Sequence, residues 1–80
     1  MDELFQKILT SIKNESVPNV KIEFINTIEA INSDLSQESM KMGREKLEQL
    51  TIDEEFDVSY FSKKILHKIY NMKFPFFNEV

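Results

Sequence analysis

Four carboxylates lie within five positions in the stretch TIDEEFDVSY, residues 51–60. They are Asp53, Glu54, Glu55 and Asp57. Acidic residues at alternating positions are typical of the first half of an EF-hand calcium loop. The second half of that loop is missing, because Val58 stands where the loop needs glycine and Lys64 stands where it needs a bidentate glutamate. We therefore predict no metal site here, and nothing else in the chain indicates a cofactor.

The same stretch has the chemistry of a docking surface for a basic protein. Phe56 lies among the carboxylates, and Tyr60 follows one helical turn later. Such a surface combines an aromatic anchor with negative charges that steer a positively charged partner. The predicted partner-binding site consists of Asp53, Glu54, Glu55, Phe56, Asp57 and Tyr60.

Local helix chemistry explains part of this acidity without any function. Thr51 and Glu54 have the spacing of a capping box, which would place the carboxylates in the first turn of a helix, where the helix dipole favours negative charge. Alternatively, Asp57 is the N-cap and residues 52–56 form a loop. The sequence leaves both alternatives open, and it leaves open whether the acidic residues meet a partner or only water.

No set of residues in the chain predicts catalysis. His67 is the single histidine, cysteine is absent, and no nucleophile-elbow sequence is present. Acyl carrier proteins attach their arm to the serine of a Gly-x-Asp-Ser-Leu motif. The stretch NSDLSQES, residues 32–39, lacks that glycine and that residue order. We therefore expect a protein that is not an enzyme.

Length and charge bound the class of protein. The chain has 80 residues and a formal net charge of −4, which predicts a single domain over residues 1–80. Residues 1–60 contain 6 basic and 13 acidic residues, a net charge of −7, whereas residues 61–80 contain 4 and 1, a net charge of +3. The pI of about 4.9 opposes contact with phosphate backbones, so we expect no nucleic-acid partner.

The sequence favours a cytoplasmic protein without a membrane span. The stretch MDELFQKILTSIKNE at the start of the chain lacks the basic, apolar and small-residue regions of a signal peptide. No apolar run approaches the roughly 20 residues that a membrane-spanning helix needs. The absence of cysteine is compatible with a reducing compartment.

Apolar residues recur at helical spacing in four segments, which predicts an all-α fold, a small antiparallel bundle of four helices. The four apolar stripes are Leu4, Phe5, Ile8, Leu9 and Ile12; Val20, Phe24, Ile28, Ile31 and Leu35; Met40, Gly43, Leu47 and Leu50; and Phe61, Ile65, Ile69 and Met72. The second segment begins with VKIEFI, which also alternates like a strand, but its length favours a helix. A bundle of three helices, or an intertwined dimer, is the alternative.

Individual residues predict where the helices end and meet. Pro18 suits a helix start, and either Asp34 or Ser36 can cap the third helix, with Asp34 and Gln37 spaced as a capping box. Pro75 predicts a helix end near residue 73. A glycine inside a helix costs about 1 kcal/mol relative to alanine, so Gly43 predicts the close approach of a neighbouring element.

The aromatic residues at the end of the chain allow two interpretations. Phe74, Phe76 and Phe77 lie within four positions. Packed back, they would cover the open end of the bundle and enlarge a small core. Exposed, they would form a patch that binds a partner. We favour packing, because a chain of this length has little core material.

In size, acidity and helical layout the chain resembles the small helical immunity proteins that bacteria use against colicin-type, contact-dependent and other bacteriocin toxins. The local resemblance is carried by the six residues of the predicted partner-binding site. It implies a compact protein that binds a basic toxin domain and covers its active cleft. The alternative function is a homodimeric helical adaptor or regulatory subunit, in which Gly43 and the phenylalanine tail form the contact.

Overall fold

The computed structural model of the chain describes residues 2–74 and is an all-α bundle of four helices, as the spacing predicted. The helices are α1 (Asp2–Ile12), α2 (Pro18–Ile31), α3 (Gln37–Leu50) and α4 (Phe56–Tyr70). A 3₁₀ turn over Asn32–Asp34 joins α2 to α3. The segment VKIEFI is helical and lies within α2, so length was the right criterion for choosing between helix and strand.

Two hydrogen bonds show that α3 and α4 form an antiparallel hairpin. At one end, the hydroxyl of Ser59 near the start of α4 donates to the carbonyl of Thr51, just after α3, at 2.7 Å. At the other end, the Tyr70 hydroxyl in the last turn of α4 donates to the Met40 carbonyl in the first turn of α3, at 2.8 Å. The two ends of this hairpin carry the two surfaces discussed below.

Two ion pairs show that α2 and α4 run parallel. Lys21, near the start of α2, pairs with Asp53, just before α4. Glu29, near the end of α2, pairs with Lys68, near the end of α4, with 2.6 Å between Oε2 and Nζ. Because α4 is antiparallel to α3 and parallel to α2, the last three helices run alternately up and down.

Contacts with α3 fix the direction of α1. The Asp2 carboxylate, in the first turn of α1, accepts the backbone N–H of Ser36 just before α3, at 3.0 Å. One turn later, the Gln6 amide lies 3.1 Å from the sulfur of Met42. These contacts place α1 parallel to α3, which completes an up-down-up-down bundle.

Most of the core comes from the predicted apolar stripes, although the buried Ile25 and Val58 were not assigned to any of them. Its buried apolar residues are Phe5, Ile12, Phe24, Ile25, Ile28, Leu47, Leu50, Val58, Ile65 and Leu66. The rings of Phe5 and Phe24 stack with centroids 6.3 Å apart, which joins α1 to α2. Two stripe residues are exposed instead: Leu4 of the first stripe at 55% and Val20 of the second at 43%. In α2 the residues that face the core are Phe24, Ile25 and Ile28.

Gly43 is buried where side chains of neighbouring helices approach α3, as its type predicted. A Cβ placed there would lie 3.1 Å from Cζ of Phe5 and 3.2 Å from the hydroxyl oxygen of Tyr70. The glycine thus allows α1 and α4 to approach α3 within a single chain. Within the described chain its surface is covered by side chains of α1, α2 and α4.

The start of α3 is capped by Ser36 rather than by the Asp34 capping box. The Ser36 hydroxyl accepts the backbone N–H of Ser39 at 3.2 Å, while Asp34 belongs to the preceding 3₁₀ turn. Pro18 is in the first turn of α2, as predicted, because it has no N–H to leave unpaired there.

Both ends of α4 differ from the prediction. The helix begins at Phe56 after Glu55, whose side chain makes no capping hydrogen bond, so neither the Thr51 capping box nor an Asp57 cap is formed. It ends at Tyr70, before residue 73, because Asn71 adopts the left-handed conformation with φ of 57°. Asparagine tolerates this conformation and commonly ends helices in this way.

Of the aromatic tail, Phe74 packs against the core cluster, in agreement with the favoured interpretation. Phe76 and Phe77 lie outside the described residues. Within residues 2–74, no helix is long and apolar enough to cross a membrane.

Candidate docking site at the acidic turn

The acidic turn, residues 51–57, joins α3 to α4 at one end of the bundle. It is tied to α3, because the backbone N–H of Asp53 donates to the carbonyl of Leu50 at 3.1 Å and that of Thr51 donates to the carbonyl of Leu47 at 3.1 Å. It is tied to α4 by the hydrogen bond from the Ser59 hydroxyl to Thr51. These bonds fix the backbone on which the acidic side chains are displayed.

Asp53 faces inward and has a structural partner. Its Oδ2 pairs with the Lys21 ammonium, and the two side chains are only 10% and 16% exposed. Its Oδ1 accepts the backbone N–H of Glu55 at 2.9 Å. The hydrogen bond from Lys21, followed by that from Glu55, holds the pKa of the Asp53 carboxyl below its usual value. Asp53 therefore positions the turn, and its charge is already balanced by a lysine.

The other three carboxylates of the predicted site lie on the surface. Glu54, Glu55 and Asp57 are exposed and form no ion pair within the described part of the chain. Phe56, between them, is 76% exposed. The structure thus brings an exposed aromatic ring and three uncompensated negative charges together, which is the combination that the sequence suggested.

Ile52 belongs to the same surface, although sequence reasoning did not include it. Its side chain is 86% exposed, the highest value among the large apolar side chains that the structure describes as exposed. The sequence did indicate that Ile52 is exposed. It follows Leu50 by two positions, so it does not continue the helical apolar stripe of α3. An apolar residue that leaves the stripe just where the helix ends is placed to face solvent.

An aromatic row connects this surface to the core. The rings of Phe56 and Tyr60 stack with centroids 6.0 Å apart, and Tyr60 meets Phe61 edge to face at 5.5 Å. Phe61 in turn packs against the core cluster. The exposed ring of Phe56 is therefore supported from behind, which limits the conformational freedom that it would lose on binding.

A groove of about 480 Å³ lies between the acidic turn and the connection from α1 to α2. The charged and apolar residues that line it include Glu15, Pro18, Lys21, Ile52, Asp53, Glu54 and Glu55. Four of these are carboxylates and one is a cation, so the groove is negative overall. A lysine or arginine side chain of a partner fits its charge and its concave shape.

Glu15 shapes this groove from the opposite side. Its carboxylate accepts the backbone N–H groups of Ser16 and Val17 at 3.1 and 3.0 Å. It thereby holds the chain just before Pro18 begins α2. Sequence reasoning missed Glu15, because its approach to the acidic turn depends on how α1 and α2 pack.

The single histidine has a structural contact in the described chain. Nδ1 of His67 donates to the carbonyl of Met72 at 3.0 Å, since a carbonyl oxygen can only accept. This bond helps to close the end of α4, away from the acidic turn. Among residues 2–74, no group of three or more histidine, aspartate or glutamate side chains is placed to hold a metal ion.

Comparison with known proteins identifies no matching family model, no significantly similar curated protein and no significantly similar solved structure. The geometry of the acidic turn is therefore the basis for assigning a function, because a helical bundle hosts many unrelated functions.

Proposed function

We propose that this protein is a non-enzymatic binding protein that uses the acidic turn to dock on a basic surface of a protein partner. The partner class that fits best is a bacterial toxin domain with a basic active cleft, which would make the chain an immunity protein or antitoxin of the cytoplasm. The observation that carries the proposal is the exposure of Phe56 and Ile52 in a turn whose carboxylates Glu54, Glu55 and Asp57 are also exposed and form no ion pair within residues 2–74.

The apolar side chains supply affinity in this proposal. Burying a large apolar side chain contributes about 1.5 to 3 kcal/mol. Phe56 stacks on Tyr60 and belongs to a helix, so its side chain loses little conformational entropy on binding. Most of the free energy gained by its burial is therefore retained. Truncation of Phe56 should cost about 2 kcal/mol, which corresponds to roughly a 30-fold loss of affinity.

The carboxylates supply orientation and association rate. Glu54, Glu55 and Asp57 are exposed at the rim of the apolar patch, where charges attract a basic partner over about a Debye length and are screened by salt. Rim charges change the association rate and its salt dependence more than they change the dissociation rate. Measured association and dissociation rates therefore separate the contribution of the carboxylates to binding from that of the apolar side chains.

The test begins with capture of partners from the native host by the tagged protein at low and moderate salt, with identification by mass spectrometry. The anchor variant, Ile52→Ser with Phe56→Ser, should lose the partner. The matched control is Leu4→Ser on α1, because Leu4 is also a large exposed apolar side chain, at 55% exposure, and lies outside the acidic turn. This control should retain the partner.

The charge variant combines Glu54→Gln, Glu55→Gln and Asp57→Asn. With the purified partner, it should associate more slowly and with a flatter salt dependence, while dissociation changes little. The proposal fails if no basic partner is captured, or if the anchor variant binds as well as the Leu4 control. Capture of a basic nuclease-like or other toxin domain would support the immunity role specifically.

A further inference from the structure

A second groove lies at the other end of the α3–α4 hairpin. It measures about 400 Å³ and is mainly apolar. Its lining consists of Leu35, Gln37, Met40, Lys41, Arg44 and Tyr70. The Tyr70 hydroxyl donates to the Met40 carbonyl, so these two polar atoms are paired with each other, and the tyrosine ring and the Met40 thioether are part of the apolar lining. We call this surface the basic groove, because both of its charged residues are cations.

The two cations are available to an incoming anion. Lys41 is exposed and forms no ion pair within residues 2–74. Among the described residues, Arg44 forms an ion pair with Glu48 alone, one helical turn away at 3.3 Å, and both side chains are 45% exposed. An exposed pair of this kind contributes little and is easily exchanged. The basic groove thus fits a ligand that combines apolar side chains with carboxylates.

The chain itself carries such a ligand. The acidic turn presents Ile52 and Phe56 beside Glu54, Glu55 and Asp57, which matches the basic groove in both apolar character and charge. The two surfaces lie at opposite ends of α3, whose 14 residues span about 21 Å. One molecule therefore cannot bring its own turn to its own groove, but two molecules can meet end to end.

We propose that the acidic turn of one copy docks in the basic groove of a second copy, in a head-to-tail contact. Ile52 and Phe56 lie against the apolar floor, and the rim carboxylates pair with Lys41 and Arg44. In such a pair one copy keeps a free groove and the other keeps a free turn, so the contact is heterologous and extends to short chains as concentration rises. This inference does not rest on the proposed function, but self-association and a basic partner would compete for the same acidic turn.

Two complementary variants test the contact. The turn variant is Ile52→Ser with Phe56→Ser, and the groove variant is Lys41→Glu with Arg44→Glu. All four residues are exposed, so both proteins should fold, which thermal unfolding by circular dichroism checks. Sedimentation velocity over a wide concentration range should show self-association of the wild type and a loss of about tenfold or more in affinity for either variant alone.

The decisive sample is the equimolar mixture of the two variants. The groove variant keeps an intact turn, and the turn variant keeps an intact groove, so the mixture should form a 1:1 heterodimer and no longer species. The inference is overturned if the wild type stays monomeric at every concentration, if either variant associates as well as the wild type, or if the mixture does not form a heterodimer.

The same variants keep this inference separate from the proposed function. The groove variant retains the acidic turn, so it should still capture a basic partner from the host. Loss of self-association with retained capture supports the head-to-tail contact. The head-to-tail contact is refuted if the groove variant still self-associates. If only the turn variant then loses capture of the partner, the proposed function stands.

Discussion

The ion pair between Lys21 and Asp53 should be worth more than an ordinary surface pair, because it fixes the acidic turn against α2. The two side chains are 16% and 10% exposed, so solvent screens them only partly. Exposed pairs typically contribute up to about 1 kcal/mol, whereas breaking a buried pair costs about 3 to 5 kcal/mol. The observed burial is intermediate, so we expect a coupling energy of about 1.5 kcal/mol.

A double-mutant cycle measures this coupling. Asp53→Asn removes the charge but keeps the oxygen that accepts the Glu55 N–H, and Lys21→Met keeps the length of the apolar stem. Each single variant should lower the free energy of unfolding in urea by about 1.5 kcal/mol, or the melting temperature by roughly 6 to 12 °C for a domain of this size. The double variant should be little worse than either single variant.

A matched control lies on α3. Arg44 and Glu48 form an ion pair one turn apart, at 3.3 Å, with both side chains 45% exposed. The cycle Arg44→Met with Glu48→Gln should give only about 0.3 to 0.5 kcal/mol. Both cycles use the same unfolding assay and similar substitutions. The difference between the two coupling energies therefore reports the burial and position of the ion pairs.

The pH dependence provides an independent check on Asp53. Its pKa in the folded protein is lowered by the Lys21 ammonium and the Glu55 N–H, so its contribution is present above the unfolded value of 3.8 and is lost as pH falls through the folded pKa. The stability gap between wild type and Asp53→Asn should be constant near neutral pH and should close in acid. A coupling no larger than that of the control pair, or a gap that does not change with pH, would refute this reasoning.

Three further predictions concern the scaffold. Gly43→Ala should lower the free energy of unfolding by about 1 kcal/mol, because the added Cβ would lie 3.1 Å from the buried Phe5. This crowding outweighs the better helix propensity of alanine, and an increase in the urea midpoint would contradict the prediction. Ser36→Ala should cost about 1 kcal/mol through loss of the α3 cap, also measured in urea, and Ser36→Asp should retain most of it. Burial raises the pKa of Tyr70, so ultraviolet titration of a Tyr60→Phe protein should show phenol ionisation above the ordinary value of 10.0.

The sequence alone determined the helices and most of the core. Helical spacing identified all four segments, because each must turn one apolar face toward its neighbours to be stable. Gly43 revealed a close approach of other elements, since a glycine inside a helix is costly unless a side chain would not fit. Short-range chemistry also placed Pro18 at the start of α2 and Ser36 among the candidate caps of α3.

Short-range sequence patterns predicted the helix ends less reliably, because several alternative capping arrangements are possible there. The Thr51 capping box was plausible from spacing, but the backbone at the end of α3 bonds to Leu47 and Leu50, and α4 begins only at Phe56. Similarly, Asn71 ends α4 through a left-handed residue before Pro75 is reached. A capping pattern indicates a possible bond, and the surrounding packing selects which bond forms.

The acidic turn shows most clearly what the sequence determined and what only the tertiary structure decided. The sequence determined its charge, its aromatic residue and its place between two helices. The tertiary structure paired Asp53 with Lys21, 32 positions away. It left Glu54, Glu55 and Asp57 without an ion pair in the described part of the chain, and it exposed both Ile52 and Phe56. The basic groove at the other end likewise needs Tyr70 of α4 to lie against α3. Burial and pairing between distant segments depend on how the helices pack, and no local pattern encodes that arrangement.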